Sequence, residues 1–416
     1  MTHCSAFSSA VRTTSSEMAW RSAVVVRRRC GWVQRQAISR FARDPGFIWE
    51  SVIGRGHQSF GNVVVEARSW AERYGPVMDL DEYIVGLPKC ELHLHLEGTL
   101  EPALKLELAR RNGIELAETT VADVEASYEF DSLASFLAVY DPAMRVLVTA
   151  EDFRDLAYAY LKKAASQGVR HVEMFFDPQA HTGRGVPFPT VITGYRQGII
   201  AARAEFGISA ELIMCFLRDL SADFAMATLM ESLPYKDWIV GVGLDSDERD
   251  NPPSKFAGVF SRARREGYLL TMHCDIDQVG SLEHIRQALE DIGVDRIDHG
   301  TNIVESPALV DHAKRRGIGL TCCPVSNSFV TSDMKAKEIV SLLYDGVRVT
   351  VNSDDPAYFR GYIGENFAAL RAKADLTAAD VTRLSRNAFE IAWISTAARE
   401  AFLADVDAYA SSHDVS

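Results

Sequence analysis

No stretch of this chain stays apolar over the roughly 20 residues that a membrane-spanning helix needs. Basic residues are outnumbered: 44 Lys and Arg stand against 57 Asp and Glu, a formal net charge of −13. A chain of that sign is neither a general nucleic-acid binder nor a ligand for an anionic membrane. Cysteine is sparse and not spaced in pairs. The seven, Cys4, Cys30, Cys90, Cys215, Cys274, Cys322 and Cys323, form neither a disulfide framework nor a CxxC zinc pattern. A reducing cytoplasm is the simplest setting for them. Internal repeats and low-complexity tracts are also missing.

Lysine is absent from the first 45 residues, which carry eight arginines and only Glu17 and Asp44 as acids. Serine and threonine are frequent there and helical periodicity is poor. The composition is that of a transit peptide, but the reading we favour is a basic N-terminal extension from a start placed upstream of Met78. Residues 1–77 are therefore set outside the catalytic fold, and 78–416 are read as one domain.

What is present beyond Met78 is alternation. Short apolar, β-rich runs recur at "KCELHLHL" (89–96), "VRHVEMFF" (169–176), "AELIMCFL" (210–217), "WIVGVGL" (238–244), "YLLTMHC" (268–274), "DRIDHG" (295–300), "IGLTCC" (318–323) and "VRVTVNS" (347–353). Amphipathic helical patterns lie between them. "PPSKFAGVFSRARREG" offers Ser254 as an N-cap and Gly267 as a stop, and "SLEHIRQALEDIG" repeats the plan with Leu282, Ile285 and Leu289 on one stripe. Strands alternating with helices imply a parallel sheet, and eight such units imply a closed (β/α)8 barrel of the α/β class. Residues 100–168 add helices behind the first strand, on the face where such barrels keep their active sites, and read as a lid. Residues 376–411 read as a helical tail with Thr377 as its N-cap and Asp380 three residues on.

The polar residues fall at the ends of these strands. In "ELHLHLEGT", the side chains of His93 and His95 share one strand face and Leu92, Leu94 and Leu96 the other. A lone HxH pair is as often two satisfied histidines as two ligands. Here, however, Asp177 follows strand 2, Asp245 and Ser246 follow strand 4, and His273 ends strand 5. His299 ends strand 6, Ser326 and Asn327 follow strand 7, and Asp354 and Asp355 end strand 8. Ser246 is a candidate substrate contact. Three neutral imidazoles and one carboxylate suit one divalent ion of the zinc type, and the expected ligands are His93, His95, His273 and Asp354. His299 and Asp355 remain beside the ion, where a histidine can manage the proton of an attacking water and a carboxyl can bond a substrate donor. The chemistry indicated is hydrolysis at an electrophilic carbon. The cytidine-deaminase arrangement, H-x-E with P-C-x-x-C, is absent.

The motifs "PKCELHLHLEGTLEP", "HVEMFFDPQAHTGRGV", "GVGLDSDERDNPP", "RIDHGTNIVESPALV", "LTCCPVSNS" and "VTVNSDDPAYFRGY" resemble the adenosine and adenine deaminase family of metal-dependent hydrolases, over about residues 78–403. "HLHLEGTLEP", "FFDPQ" and "VNSDDPAYF" are closer to the adenine branch. The resemblance implies a (β/α)8 barrel with one zinc on His93, His95, His273 and Asp354. It makes His299 the histidine that acts on the attacking water, and has Asp355 contact the purine ring. Glu97 and the lid would close over the space that a ribose fills in adenosine deaminases. The implied substrate is a small aminopurine, adenine or one substituted on its exocyclic nitrogen, with ammonia or an amine released. Adenosine is the alternative substrate, a non-catalytic zinc and purine binder is the alternative of another class, and the oligomeric state is open.

One family motif is missing. His-Ala-Gly-Glu after strand 5, whose Glu is the ring-protonating acid, is replaced by "HCDIDQ", which puts Ile276 where that Glu would fall. Asp275 and Asp277 are the candidate replacements.

Overall fold

The computed structural model describes residues 79–274, 278–331 and 333–415. The basic extension 1–77, together with Asp275 and Asp277, lies outside the described residues. Leu80–Ser416 forms one compact unit.

Eight strands lie in the order of the sequence, every neighbouring pair parallel. They are β1 (Lys89–Glu91), β2 (Val169–Phe176), β3 (Ser209–Leu217), β4 (Ile239–Asp245), β5 (Leu269–Cys274), β6 (Arg296–His299), β7 (Gly319–Cys322) and β8 (Arg348–Val351). Each falls within or overlaps a β-rich run of the sequence. Backbone pairing beyond the ends of β1 and β8 closes the sheet: Leu94 bridges Asp354, His95 N–H donates to the Asp354 carbonyl at 3.0 Å, and Asp354 N–H donates to the His93 carbonyl at 3.1 Å. Nearer the strand origins the Asn352 side chain stands in for backbone and accepts the Leu92 N–H at 2.8 Å. The (β/α)8 barrel expected from the sequence is the fold.

The helical layer forms for local reasons. Thr377 caps the helix Ala378–Ile391 in a capping box with Asp380, as its spacing indicated, and Thr149 does the same with Asp152 for Ala150–Ser166. Ser254 differs. Pro252 and Pro253, which have no N–H to satisfy, begin a short 3-10 turn over Pro253–Phe256, so the helix Ala257–Glu266 starts behind Phe256 and Ser254 caps nothing. The helix Ala150–Ser166 also departs from the expected lid. It packs against Phe188–Phe206, where Gly194 and Gly198 let the backbones meet: an added Cβ would stand 2.4 Å from the Ala150 carbonyl and 2.6 Å from that of Arg154. It belongs to the barrel's outer layer, and the lid proper is the part of the insertion before it.

The barrel floor is polar. Arg296 is fully buried, pairs with Glu173 at 2.5 Å and lies 4.1 Å from the centroid of the Trp393 ring. Asp298 accepts the hydroxyls of Thr271 at 2.6 Å and Thr321 at 2.8 Å. These pairings satisfy charges that burial would otherwise make costly. Among the described residues no helix is long and apolar enough to cross a membrane.

Candidate active site

The strands carry His93, His95, His273, His299 and Asp354 to one rim, and all five are buried. His273 ends β5 in register with Asp298, one residue before Cys274 pairs with His299. Backbone strain accompanies the placement: His299, Asp354 and Ser246 all take left-handed conformations, with φ of 56°, 66° and 71°. Such angles are uncommon for residues with a Cβ and cluster where a structure over-determines them.

Hydrogen bonds fix how the imidazoles face. The Thr321 hydroxyl is committed to Asp298, so at 2.9 Å His93 Nδ1 donates to it. His273 Nδ1 donates to the Leu244 carbonyl at 3.1 Å. His95 Nδ1 faces Asp245 Oδ2 at 3.5 Å. All three rings therefore turn Nε2 inward with its lone pair. His95 Nε2 and His273 Nε2 stand 3.1 Å apart, His93 Nε2 and His95 Nε2 stand 3.2 and 3.5 Å from Asp354 Oδ1, and His93 Nε2 has no hydrogen-bond partner. Lone pairs aimed at one another and at a carboxylate oxygen repel unless a cation lies among them. A tetrahedral ion with bonds of about 2.0–2.1 Å sets its ligand atoms about 3.3 Å apart, close to these separations. The donor set, three imidazole nitrogens and a carboxylate oxygen, fits a zinc-type ion.

His299 reaches the other oxygen, its Nε2 lying 3.7 Å from Asp354 Oδ2. Ligand atoms lie mutually within 4.8 Å in a group of His93, His273, His299 and Asp354 and in another of His95, Asp354 and Asp355, so the four-residue group holds His299 where the sequence expected His95. Both groups centre on Asp354, which the Ser326 hydroxyl steadies by donating to Oδ2 at 2.7 Å. Burial, with the neighbouring imidazoles, lowers three of the histidines, His95 and His299 to about 4 and His273 well below its ordinary value, whereas at His93 burial is outweighed by Asp354, which raises it. Neutral rings are what a dication needs.

The pocket above this cluster is lined by His95, Asp177, Asp245, Ser246, Asp355 and, from the lid, Phe136 and its neighbours. The lid helix Leu133–Ala143 sits on the turn that follows Asp355, with Phe136 and Phe359 ring centroids 4.9 Å apart. Ser246 lines the pocket as its place behind β4 suggested.

Glu97 departs from the expectation. It is fully buried and does not line the pocket. Its Oε1 accepts His181 Nε2–H and the Tyr195 hydroxyl, each at 2.8 Å, and Arg184 donates to the far nitrogen of His181. His181 outweighs burial and keeps this carboxyl below its ordinary pKa. Glu97 thus ties the segment after β1 to the start of the outer layer.

Gly98 is a second position whose role has no local mark in the sequence. A Cβ there would come within 2.0 Å of Asp355 Oδ1 and 2.8 Å of the Asp355 Cα. Gly98→Ala is expected to displace Asp355, to cost about 1–3 kcal/mol of stability as overpacking does, and to lower turnover without lowering metal content. Chemical denaturation, metal analysis and steady-state kinetics on the one variant check all three; wild-type kinetics would show that Asp355 need not be where it is.

The family model described as Adenosine deaminase matches residues 88–409. An uncharacterized deaminase of Schizosaccharomyces pombe is 50% identical over 337 residues, 81% of this chain and 99% of its own length. The adenine deaminase of Chlorobium luteolum is 47% identical over 330 residues, 79% of this chain and 96% of its own. Among solved structures, the adenine deaminase from Arthrobacter aurescens superposes with a TM-score of 0.75 at 39% identity, covering 78% of this chain and 99% of that one.

Proposed function

The chain belongs to the adenosine deaminase family and is a hydrolytic deaminase; from that premise we propose that it is a one-zinc enzyme acting on adenine or a related aminopurine, including one substituted on the exocyclic nitrogen. The observation that carries the proposal is the meeting of three inward Nε2 atoms and Asp354 Oδ1 at 3.1–3.5 Å beneath a pocket sized by an apolar lid. The adenine deaminases among the relatives support the substrate class.

In this reading His93, His95, His273 and Asp354 hold the zinc. When bound, the ion supplies Lewis acidity that brings the pKa of water toward neutrality. His299, neutral at physiological pH, takes the proton of the attacking water as its oxygen bonds to the amine-bearing carbon. Asp355 meets the purine ring, and Ser246 borders the same space. Asp275 or Asp277 gives a proton to the ring nitrogen beside the reacting carbon. The exocyclic nitrogen leaves with a proton as the carbon–nitrogen bond breaks, so water and aminopurine yield oxopurine and ammonia, or an amine. The lid residues Phe136 and Tyr140 exclude bulk water.

A turnover panel tests this. Zinc-loaded protein is offered adenine, N6-methyladenine and adenosine, with release of ammonia or methylamine measured. Release from at least one aminopurine is expected. Tight binding with no release from any would make the protein a binder.

A further inference from the structure

Three carboxylates that line the pocket, Asp141, Asp177 and Asp245, are unused by the chemistry above. Asp177 follows β2, is 3% exposed and lines the pocket, and its Oδ1 has no hydrogen-bond partner. An Asp177 carboxylate oxygen lies within 4.8 Å of a ring nitrogen of His95 and of an Asp245 oxygen, which places it beside the reacting centre.

The protein offers Oδ1 nothing. His95 turns Nδ1 to Asp245, and Asp245 is itself a carboxylate. The Tyr195 hydroxyl and the His181 N–H are committed to Glu97. The Tyr140 hydroxyl lines the same pocket and does not reach Asp177, for it too lacks a partner. A proton shared between Asp177 and Asp245 still leaves Oδ1 an acceptor. A buried acceptor without a donor is costly, so the ligand must bring the donor.

An aminopurine has few to bring. Its amino group lies at the zinc cluster, where it is lost. The remaining donor of the free base is the single N–H of the five-membered ring, which a nucleoside or nucleotide lacks because a sugar carbon sits on that nitrogen. We propose that Asp177 is a specificity-determining residue that accepts this ring N–H, so that the pocket takes purine free bases and rejects N9-substituted purines. This rests on the aminopurine reading above and adds to it the residue that tells base from nucleoside.

The test compares adenine with 9-methyladenine, which keeps the amino group and lacks only the donor. Zinc-loaded wild type is expected to prefer adenine in kcat/KM by about the tenfold to hundredfold that a hydrogen bond to a buried acceptor and the penalty of leaving it unmade supply together. Asp177→Ser is expected to lose about 10- to 100-fold on adenine, mostly in KM, and markedly less on 9-methyladenine, so that the preference shrinks. Asp177→Asn, which keeps a carbonyl acceptor in the same place, is expected to retain more of the preference, and zinc content and far-UV circular dichroism establish that each variant is folded and loaded. If Asp177→Ser keeps the wild-type ratio, or lowers both substrates alike, the assignment is wrong while the enzyme remains an aminopurine deaminase. If wild type turns over neither compound nor any other aminopurine, the functional reading fails and takes this one with it.

Discussion

Removing the metal is expected to abolish turnover, and His95→Ala is expected to lose metal and activity together. His95 is the link between two parts of the cluster: its Nε2 lies 3.1 Å from His273 Nε2 and 3.5 Å from Asp354 Oδ1, and its Nδ1 side is backed by Asp245. Alanine deletes a ligand and leaves Asp245 and Asp354 buried with one fewer neighbour. A Lewis acid of this kind contributes several kcal/mol to the transition state, so its loss corresponds to at least about a thousandfold in rate. The same loss should appear when chelated wild type, shown by elemental analysis to be metal-free, is assayed, and zinc should restore it. Folding should register the ion too, since a ligand that binds only the native state raises stability with its concentration. Full turnover by demonstrably metal-free protein would overturn the mechanism at its root.

The second large effect concerns the acid. Addition of water to the amine-bearing carbon drives electrons onto the adjacent ring nitrogen, and a positioned proton donor there contributes about 10²–10⁴ in rate. In place of the family's Glu this chain has Ile276, flanked by Asp275 and Asp277. The segment leaves β5 at Cys274, which pairs with His299 and whose carbonyl accepts the Gly300 N–H at 3.1 Å, so it departs from the site itself. An Asp side chain is one methylene shorter than Glu and serves only if the backbone brings it nearer. Asp275→Asn and Asp277→Asn, made separately, are expected to separate the two: one should lose at least about a hundredfold in kcat with metal retained, Asp275 being favoured because residues two apart share a side wherever a chain runs extended. Near-normal rates in both would place the proton source elsewhere.

Much of this architecture was legible because it is written in short-range chemistry. A strand announces itself by β-branched and apolar residues over a few positions, and eight such runs separated by helices leave few folds to choose from. The polar groups at the strand ends were legible for the same reason, since a histidine closing an apolar run is conspicuous. What stayed hidden depends on distant partners. Nothing near Glu97 reveals that His181 and Tyr195, 84 and 98 residues on, will enclose it. An amphipathic pattern shows that Ala150–Ser166 has a buried side, not which helix it meets. The pair Gly194 and Gly198, spaced one turn apart, was the available sign of close backbone contact and went unread. Asp177 was visible as a rim residue, but an unsatisfied oxygen is a property of its surroundings and has no local signature.

The joint between β8 and β1 carries a consequence of its own. It depends on a bridge at Leu94 and Asp354, on two backbone hydrogen bonds and on a side-chain amide at Asn352. That joint brings the earliest and latest strands of the barrel together. His93 and His95 lie on one side of it and Asp354 on the other. Were the three to share an ion, it would be a clasp across this seam, fastening the start of the barrel to its end once the enzyme is loaded.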